Sequence, residues 1–186
     1  VDPIYYGDPN DHKCKKVCPS NSYGNPLTQQ CVHDYQTIST CPPNYFGDIN
    51  SMLCVKNCPM KFDRYADPNT KKCELGCSGG LIADNSTMKC VVMCPEYPSY
   101  FANLDSKRCI PFCPSNTFAD PITRVCTTNC SGDLYADSST WRCVSQCPQK
   151  PLTFADNTTW SCVPTCPDGY FSDNSTRKCV LSCPRS

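Results

Sequence analysis

Twenty cysteines recur at nearly constant spacing along this chain of 186 residues, and no other feature limits its fold as strongly. They form ten pairs, nine of the form C-x-x-x-C and one, Cys31 and Cys41, with six extra residues between its members. The first cysteines of successive pairs lie 17 or 19 residues apart, with one interval of 23. The spacing predicts one continuous array over residues 1–186, made of about ten units of 17–19 residues, with an insertion at 32–40.

Composition shows why the cysteines must carry the stability. Leu, Ile, Val and Phe together make only 31 of the 186 residues, which is fewer than a conventional hydrophobic core needs. A cysteine density this high is typical of scaffolds in which cross-links replace a core. Because cytosolic thiols are kept reduced, the chain is predicted to be secreted or exposed at a cell surface.

The residues before each first cysteine predict the local structure. An aromatic residue stands eight positions before it in nine of ten repeats, with Ile82 as the exception, and a Gly, Ala or Ser follows. Next comes Asp or Asn, and three residues later Ser or Thr in nine repeats, which is the signature of an Asx-capped type I turn. Each repeat is therefore predicted to be a strand ending at the aromatic residue, a tight turn, and a return strand ending at cysteine. The fold class is a small disulfide-rich β protein, an elongated rod of stapled hairpins with essentially no helix.

The expected disulfide joins the second cysteine of one pair to the first cysteine of the next, across the hairpin. These separations are always 13 or 15 residues, and a step of two keeps every side chain on its original face. Closing such a loop contributes roughly 3 kcal/mol in the chain-entropy model. Bridges within each C-x-x-x-C pair remain the alternative. The predicted pairs are Cys18–Cys31, Cys41–Cys54, Cys58–Cys73, Cys77–Cys90, Cys94–Cys109, Cys113–Cys126, Cys130–Cys143, Cys147–Cys162 and Cys166–Cys179, and Cys14 and Cys183 are left for partners outside the chain or in another copy.

Three stretches carry a resemblance to known modules: CVKNCPMKF at 54–62, CPPNYFGDINSMLC at 41–54 and CVPTCPDGYFSDNSTRKC at 162–179. They resemble the furin-like cysteine-rich modules of growth-factor receptors and proprotein convertases. They resemble more closely the tandem repeats of large surface proteins in ciliates and similar protists. The resemblance covers the whole chain and implies rod-like modules whose bridges follow the cross-hairpin order. The long Cys31/Cys41 spacing departs from the family pattern, and the local pairing there stays open.

Four N-x-S/T sequons are candidate sites for N-linked glycans: Asn85, Asn129, Asn157 and Asn174. Three of them occupy the second position of the turn and use the turn's own Thr, whereas the Asn129 sequon has Cys130 at its centre. Calcium binds to carboxylate oxygens, so the turn aspartates are candidate ligands. Each repeat supplies only one Asp, however, and a single carboxylate does not make a calcium site, so turn capping is the favoured interpretation. Apart from glycans, no metal or other cofactor is expected.

Nothing in the sequence predicts an enzyme. Only His12 and His33 are available for acid–base chemistry, and both occupy ordinary hairpin positions. The 17 basic and 17 acidic residues form no block of one sign, so a nucleic acid partner is not expected. No apolar stretch is long enough to span a membrane and no signal peptide is recognisable, so the chain is expected to be a mature piece or an excerpt of a longer array.

The two ends of the chain complement each other. Residues 1–14 read as the second half of a repeat, and residues 179–186 supply a Cys-Pro with no hairpin after it. This predicts a longer array, or copies that meet head to tail and build a filament. The predicted function is a structural extracellular glycoprotein of a filament, appendage or surface layer. The alternative is the stalk of a surface receptor or adhesin, for which the insertion after Cys31 is the candidate binding segment.

Overall fold

The computed structural model describes residues 4–35, 38–97 and 99–184. These residues form short strands and turns, with one 3-10 helix (Met60–Phe62) and no α-helix among them. The predicted class, a disulfide-rich β protein of tandem hairpins, is therefore confirmed. The strands are β1 (Tyr6–Asp8), β2 (Lys13–Lys15), β3 (Ser22–Asn25), β4 (Gln30–Tyr35), β5 (Ile38–Ser39), β6 (Phe46–Asp48), β7 (Leu53–Val55), β8 (Tyr65–Asp67), β9 (Lys72–Glu74), β10 (Ile82–Asp84), β11 (Lys89–Val91), β12 (Phe101–Asn103), β13 (Arg108–Ile110), β14 (Phe118–Ala119), β15 (Cys126–Thr127), β16 (Tyr135–Asp137), β17 (Arg142–Val144), β18 (Phe154–Asp156), β19 (Ser161–Val163), β20 (Phe171–Asp173) and β21 (Lys178–Val180).

The predicted strand positions are wrong. The first strand of each hairpin continues from the aromatic residue toward the turn instead of ending there, and the return strand does not end at cysteine. In the first repeat Tyr6 pairs with Lys15, Gly7 with Cys14 and Asp8 with Lys13. The turn opens only after Asp8, so the aromatic, the small residue and the aspartate are all strand residues. The cysteine lies at the centre of the return strand, directly opposite the small residue.

Four residues connect the two strands of a hairpin, or six between β14 and β15, and one of them adopts a left-handed backbone conformation just before the return strand. In the first repeat its N–H donates to the carbonyl of Asp8 over 2.9 Å. This residue always stands two positions before the first cysteine, and it is never glycine, although positive φ is uncommon for other residues. Its ten representatives are His12, Gln29, Met52, Lys71, Met88, Lys107, Arg124, Trp141, Trp160 and Arg177, with φ between 52° and 60°.

The cysteines join neighbouring repeats in the cross-hairpin order. Eight bridges have Cα–Cα distances of 5.5 or 5.6 Å and sequence separations of 13 or 15 residues. They link Cys18–Cys31, Cys41–Cys54, Cys58–Cys73, Cys77–Cys90, Cys113–Cys126, Cys130–Cys143, Cys147–Cys162 and Cys166–Cys179, and Cys94 and Cys109 are disulfide-bonded as well. Cys14 and Cys183 carry free, exposed thiols.

The chain divides into two compact units. Unit 1 comprises residues 1–93 and 107–109. Its strands follow the order β2-β1-β4-β3-β7-β6-β9-β8-β11-β10-β13. Within a hairpin the strands are antiparallel, and between hairpins the first strand of one pairs in parallel with the second strand of the next. Every hairpin therefore contacts its sequence neighbours by the same pairing.

The insertion of the second repeat extends this unit. It lengthens β4 to six residues, and β4 pairs antiparallel with β5 to form an additional small hairpin. Residues 36 and 37 lie outside the described residues. Thr40 closes the base of the insertion by donating its hydroxyl proton to the carbonyl of His33. Because the insertion adds its own hairpin, the bridges on both sides keep the ordinary separation of 13 residues.

Unit 2 comprises residues 94–106 and 110–186 and repeats the same arrangement. Its strand order is β15-β14-β17-β16-β19-β18-β21-β20, again with parallel pairing between hairpins. A parallel bridge from Ala102 to Val125 attaches β12 within this unit.

The core of most repeats is a single aromatic ring held between the disulfides and the next hairpin, and Ile82 takes the place of the ring in one repeat. Tyr65 and Phe101 are at most 2% exposed. The small residue that follows each aromatic residue makes room for the ring of the preceding repeat. A Cβ atom added to Gly47 would lie 2.6 Å from the ring of Tyr23, and one added to Gly24 would lie 2.8 Å from the ring of Tyr6. Invariably small residues at this position thus have a packing cause.

The substitution Gly47→Ala tests this packing. We expect it to lower the free energy of unfolding by about 1–3 kcal/mol, because the new methyl group forces the buried Tyr23 ring to move. Gly7→Ala is the matched control, since only the Gln29 carbonyl lies near the added atom, at 3.9 Å. Guanidinium unfolding with the disulfides kept oxidised compares the two variants. Equal midpoints would contradict the packing argument.

Candidate functional site

The junction between successive hairpins is the structural feature that recurs most regularly, and one backbone hydrogen bond defines it. The N–H of the small residue donates to the carbonyl of the left-handed residue of the next repeat, over 2.8 or 2.9 Å. The nine bonds run from Gly7 to Gln29, Gly24 to Met52, Gly47 to Lys71, Ala66 to Met88 and Ala83 to Lys107 in unit 1, and from Ala102 to Arg124, Ala119 to Trp141, Ala136 to Trp160 and Ala155 to Arg177 in unit 2.

The side chain of the left-handed residue packs on the preceding repeat, the same repeat whose N–H its carbonyl accepts. Trp141 stacks on Phe118 and Trp160 on Tyr135, with ring centroids 5.7 and 5.5 Å apart. Arg124 lies 4.6 Å above the centroid of Phe101. Sequence reasoning missed this position. A usable signal existed, because the residue is long or aromatic and never β-branched in any repeat.

Two arginines at this position also donate hydrogen bonds to backbone carbonyls in the longer links between hairpins. The guanidinium of Arg124 donates to the carbonyls of Pro95 and Tyr100, both over 2.7 Å. Arg177 repeats the arrangement one long link later, with bonds of 2.8 and 3.0 Å to Pro148 and Thr153. Each arginine therefore pairs two backbone acceptors of the preceding repeat and packs on that repeat's aromatic ring.

A polar group beside Tyr65 ties three repeats of unit 1 together. The Tyr65 hydroxyl donates to Oδ1 of Asn85 over 2.6 Å and accepts a bond from Arg108. Arg108 also forms an ion pair with Asp63 at 3.0 Å, which holds the pKa of the Asp63 carboxyl below its ordinary value. Burial is the first cause that raises the pKa of Tyr65, followed by its hydrogen bond to Asp63.

The turn carboxylates cap the turns, as the sequence predicts. Oδ1 of Asp84 accepts the backbone N–H of Ser86, and Oδ2 accepts the hydroxyl of Thr87 over 2.6 Å. The second bond explains the Ser or Thr that follows the aspartate by three residues. The same hydroxyl bond occurs at Asp48, Asp137, Asp156 and Asp173.

Two turns use a different donor for the second carboxylate oxygen. Ser78 and Ser131 stand where most repeats have the proline after the second cysteine, and their backbone N–H groups donate to Oδ2 of Asp67 and Asp120 over 2.7 and 2.9 Å. Proline lacks this N–H, so repeats with proline need the hydroxyl instead. In the Asp67 turn the hydroxyl of Thr70 is buried and has no partner.

These bonds offset the burial of the carboxylates. Burial acts to raise the pKa of Asp120, but hydrogen bonds from Ser131 and from the turn amides outweigh it, so the pKa lies below its ordinary value. The hydroxyls of Thr176 and Ser175 are the main causes that lower the pKa of Asp173. In the described residues no group of three or more His, Cys, Asp or Glu side chains is placed to hold a metal ion.

All four sequon asparagines are exposed. Oδ1 of Asn85 and of Asn157 accepts a hydroxyl bond from the preceding Tyr65 and Tyr135, each over 2.6 Å. A glycan is attached through the amide nitrogen, so it leaves this acceptor in place. Asn129 differs, because Cys130 inside its sequon is bridged to Cys143 and the hydroxyl of Ser131 is buried. Asn174 lies in the last turn, beside Asp173.

The remaining sequence candidates stay apart from one another. His12 is exposed in the first turn, and Nε2 of His33 lies 3.2 Å from the side-chain nitrogen of Asn10. Within the described residues no helix is long and apolar enough to cross a membrane. Comparison of the chain with protein-family models, with curated proteins and with solved structures gives no match.

A double-mutant cycle tests the exchange of donors at Asp67. Ser78→Pro alone is expected to cost less than about 1 kcal/mol, because the unpaired Thr70 hydroxyl takes over the carboxylate oxygen as it does in other repeats. Combined with Thr70→Ala, it is expected to cost about 1–3 kcal/mol more than the two single changes together, since a buried carboxylate oxygen then has no donor. Ser78→Ala keeps the N–H and is the control. All variants are compared by guanidinium unfolding with the disulfides kept oxidised. Additive single effects would refute the exchange.

Proposed function

We propose that the protein is a structural extracellular glycoprotein whose repeats build or coat a filament, an appendage or a surface layer. One observation supports this most directly: nine successive junctions use the same backbone bond, from a small residue to the left-handed residue of the next repeat. A scaffold in which each repeat contacts only its neighbours extends by adding units, and its stability grows with each interface. This regularity is what an extended structural protein requires.

The disulfides support an extracellular location. Eighteen cysteines are disulfide-bonded, and the apolar core is a single ring in most repeats, so the fold depends on bridges that persist in oxidising compartments. N-linked glycans at Asn85, Asn157 and Asn174 belong to the same proposal, because these side chains lie exposed on turns of a protein that would pass through the secretory pathway.

Copies of the chain are the proposed partners, joined head to tail by the bond that joins repeats. Ser172 occupies the donor position of the small residue, and beside it Phe171 is 55% exposed, whereas the equivalent Phe154 is 4% exposed. His12 occupies the acceptor position at φ 56°, and the Cβ side of Gly7 is open apart from one carbonyl at 3.9 Å. A hairpin of a second copy would place Gly7 and His12 against Phe171 and Ser172. The free thiols of Cys14 and Cys183 are the proposed bridge of that junction.

Electron microscopy of the unreduced protein, paired with mass mapping of peptides containing Cys14 and Cys183, tests the assembly. We expect regular fibres and a linked Cys14–Cys183 peptide. Ser172→Pro removes the donor on the outer side of β20, where proline is tolerated, and is expected to stop fibre growth without unfolding the chain. Ser172→Ala keeps the donor and introduces the residue found at this position in six other repeats, so it should assemble. Separate particles with both thiols unlinked would overturn the proposal in favour of a receptor or adhesin stalk.

Glycopeptide mass spectrometry of the secreted protein tests the modification separately. We expect glycans at Asn85, Asn157 and Asn174 and an unmodified Asn129, because its sequon is drawn into the Cys130–Cys143 bridge. Thr87→Ser keeps a hydroxyl for both Asp84 and the sequon and should retain the glycan, whereas Thr87→Ala should lose it. Occupancy at Asn129 alone would contradict the expected pattern.

A further inference from the structure

Unit 2 contains a groove that recurs once per repeat. Three residues of a C-x-x-x-C link form one wall, the small residue of the next repeat forms the base, and the left-handed residue of the repeat after that forms the other wall with its two neighbours. The three grooves have volumes of about 90, 300 and 160 Å³. Their left-handed residues are Trp141, Trp160 and Arg177.

The two tryptophans of the chain therefore stand at equivalent places in successive grooves. Each lies nearly flat on an aromatic ring of the preceding repeat, with interplanar angles of 28° for Phe118 and Trp141 and 25° for Tyr135 and Trp160. Trp141 nevertheless remains 41% exposed and Trp160 44% exposed. Packing on the preceding ring thus leaves a large part of each indole open to solvent. Met88 packs at the equivalent place on Tyr65 with only 7% exposure.

Polar, uncharged groups surround the larger groove. Besides Trp160 and Phe118 it is lined by Thr128, Asn129 and Ser161, and every lining residue described there is uncharged. The neighbouring Trp141 groove adds Phe112, which is 83% exposed, and one cation, Arg142, whose guanidinium lies 5.9 Å from the centroid of the Phe101 ring. The larger groove thus combines aromatic surface with convergent hydroxyl and amide groups in about equal polar and apolar amounts, which suits a hydroxyl-rich ligand.

We propose that this pair of grooves in unit 2 binds a neutral oligosaccharide. The C–H face of a pyranose ring packs on an exposed indole, and its hydroxyls pair with the amide of Asn129 and the hydroxyls of Thr128 and Ser161. Equivalent residues of successive repeats are separated by two inter-strand steps, about 9–10 Å. That spacing is close to the length of two sugar residues in an extended β-1,4-linked chain. The regular spacing of the grooves accordingly fits a periodic polymer, and the uncharged lining of the Trp160 groove favours a neutral one.

A proline-rich peptide is the other ligand that aromatic surfaces commonly accept. Such peptides dock into slots between aromatic rings that stand as ridges. Here each tryptophan lies flat on the ring beneath it and offers a face, which suits a sugar ring better. The proposal concerns unit 2 alone and does not depend on assembly into filaments.

Titration of the full chain with the β-1,4-linked hexamers of N-acetylglucosamine and of glucose tests the site. Intrinsic fluorescence reports it directly, because the chain contains only these two tryptophans. We expect a saturable change with at least one hexamer, and protection of both indoles from oxidation by N-bromosuccinimide in the unaltered protein. Trp160→Met is expected to weaken binding about tenfold or more. Methionine retains packing on Tyr135, as Met88 does on Tyr65.

Two controls distinguish binding at this site from non-specific surface binding and from the effects of misfolding. Met60→Ala removes a side chain that is 73% exposed in unit 1 and should leave sugar binding unchanged. A complete set of native disulfides in Trp160→Met shows that its fold is retained. Sugar binding that survives Trp160→Met would overturn the proposal. It would also be overturned if neither hexamer protected the indoles from oxidation. A saturable response to polyproline peptide alone would overturn it in favour of peptide docking.

Discussion

A hairpin of two three-residue strands leaves backbone groups unpaired on its outer sides, and the bond from the small residue to the next hairpin's left-handed carbonyl pairs them. This bond places a requirement on its donor residue and another on its acceptor residue. The donor must be small, because the preceding aromatic ring occupies the space beside it, as at Gly47. The acceptor must have positive φ, because the same residue closes its own turn through its N–H and offers its carbonyl to the neighbour. Disulfides then hold each hairpin in the register at which the bond forms.

The buried turn aspartates show how such a scaffold tolerates charge without a large core. A carboxylate that is 0–2% exposed needs donors for both oxygens, and each turn supplies them locally. One oxygen takes a backbone N–H of the turn. The other takes a hydroxyl from three residues later, an N–H from the following link at Asp67 and Asp120, or the ammonium group of Lys15 at Asp8. The choice between proline and serine after the second cysteine is therefore coupled to a hydrogen bond several residues away, and not only to the stiffness of the link.

Among the residues that form the junction bond and its ring contact, the left-handed residue varies most between repeats. Its backbone performs the same task everywhere, so its side chain is free to change as long as it covers the ring beneath it. Methionine gives a closed apolar junction, and arginine adds bonds to a long link, as Arg124 does. Tryptophan leaves an exposed indole. A regular array can thus carry a binding surface in two of its repeats without any change in the fold.

The sequence by itself determined the repeat, the hairpin and the capping role of the aspartates, because each of these follows from short-range spacing. It favoured the cross-hairpin order of the bridges but left pairing within C-x-x-x-C as an alternative, which the structure excludes for the bridges it describes. Pattern alone placed the aromatic residue at the end of its strand, since it does not show how far pairing extends before the turn. It also gave no role to His12, Met88 or Trp160, because long or aromatic side chains that are never β-branched are only a weak signal of a left-handed conformation. Only the tertiary structure decided which residue meets the preceding ring, which donor reaches Oδ2 of Asp67 and where the indoles face solvent. Those contacts join residues of different repeats, and their geometry exists only when the hairpins are stacked.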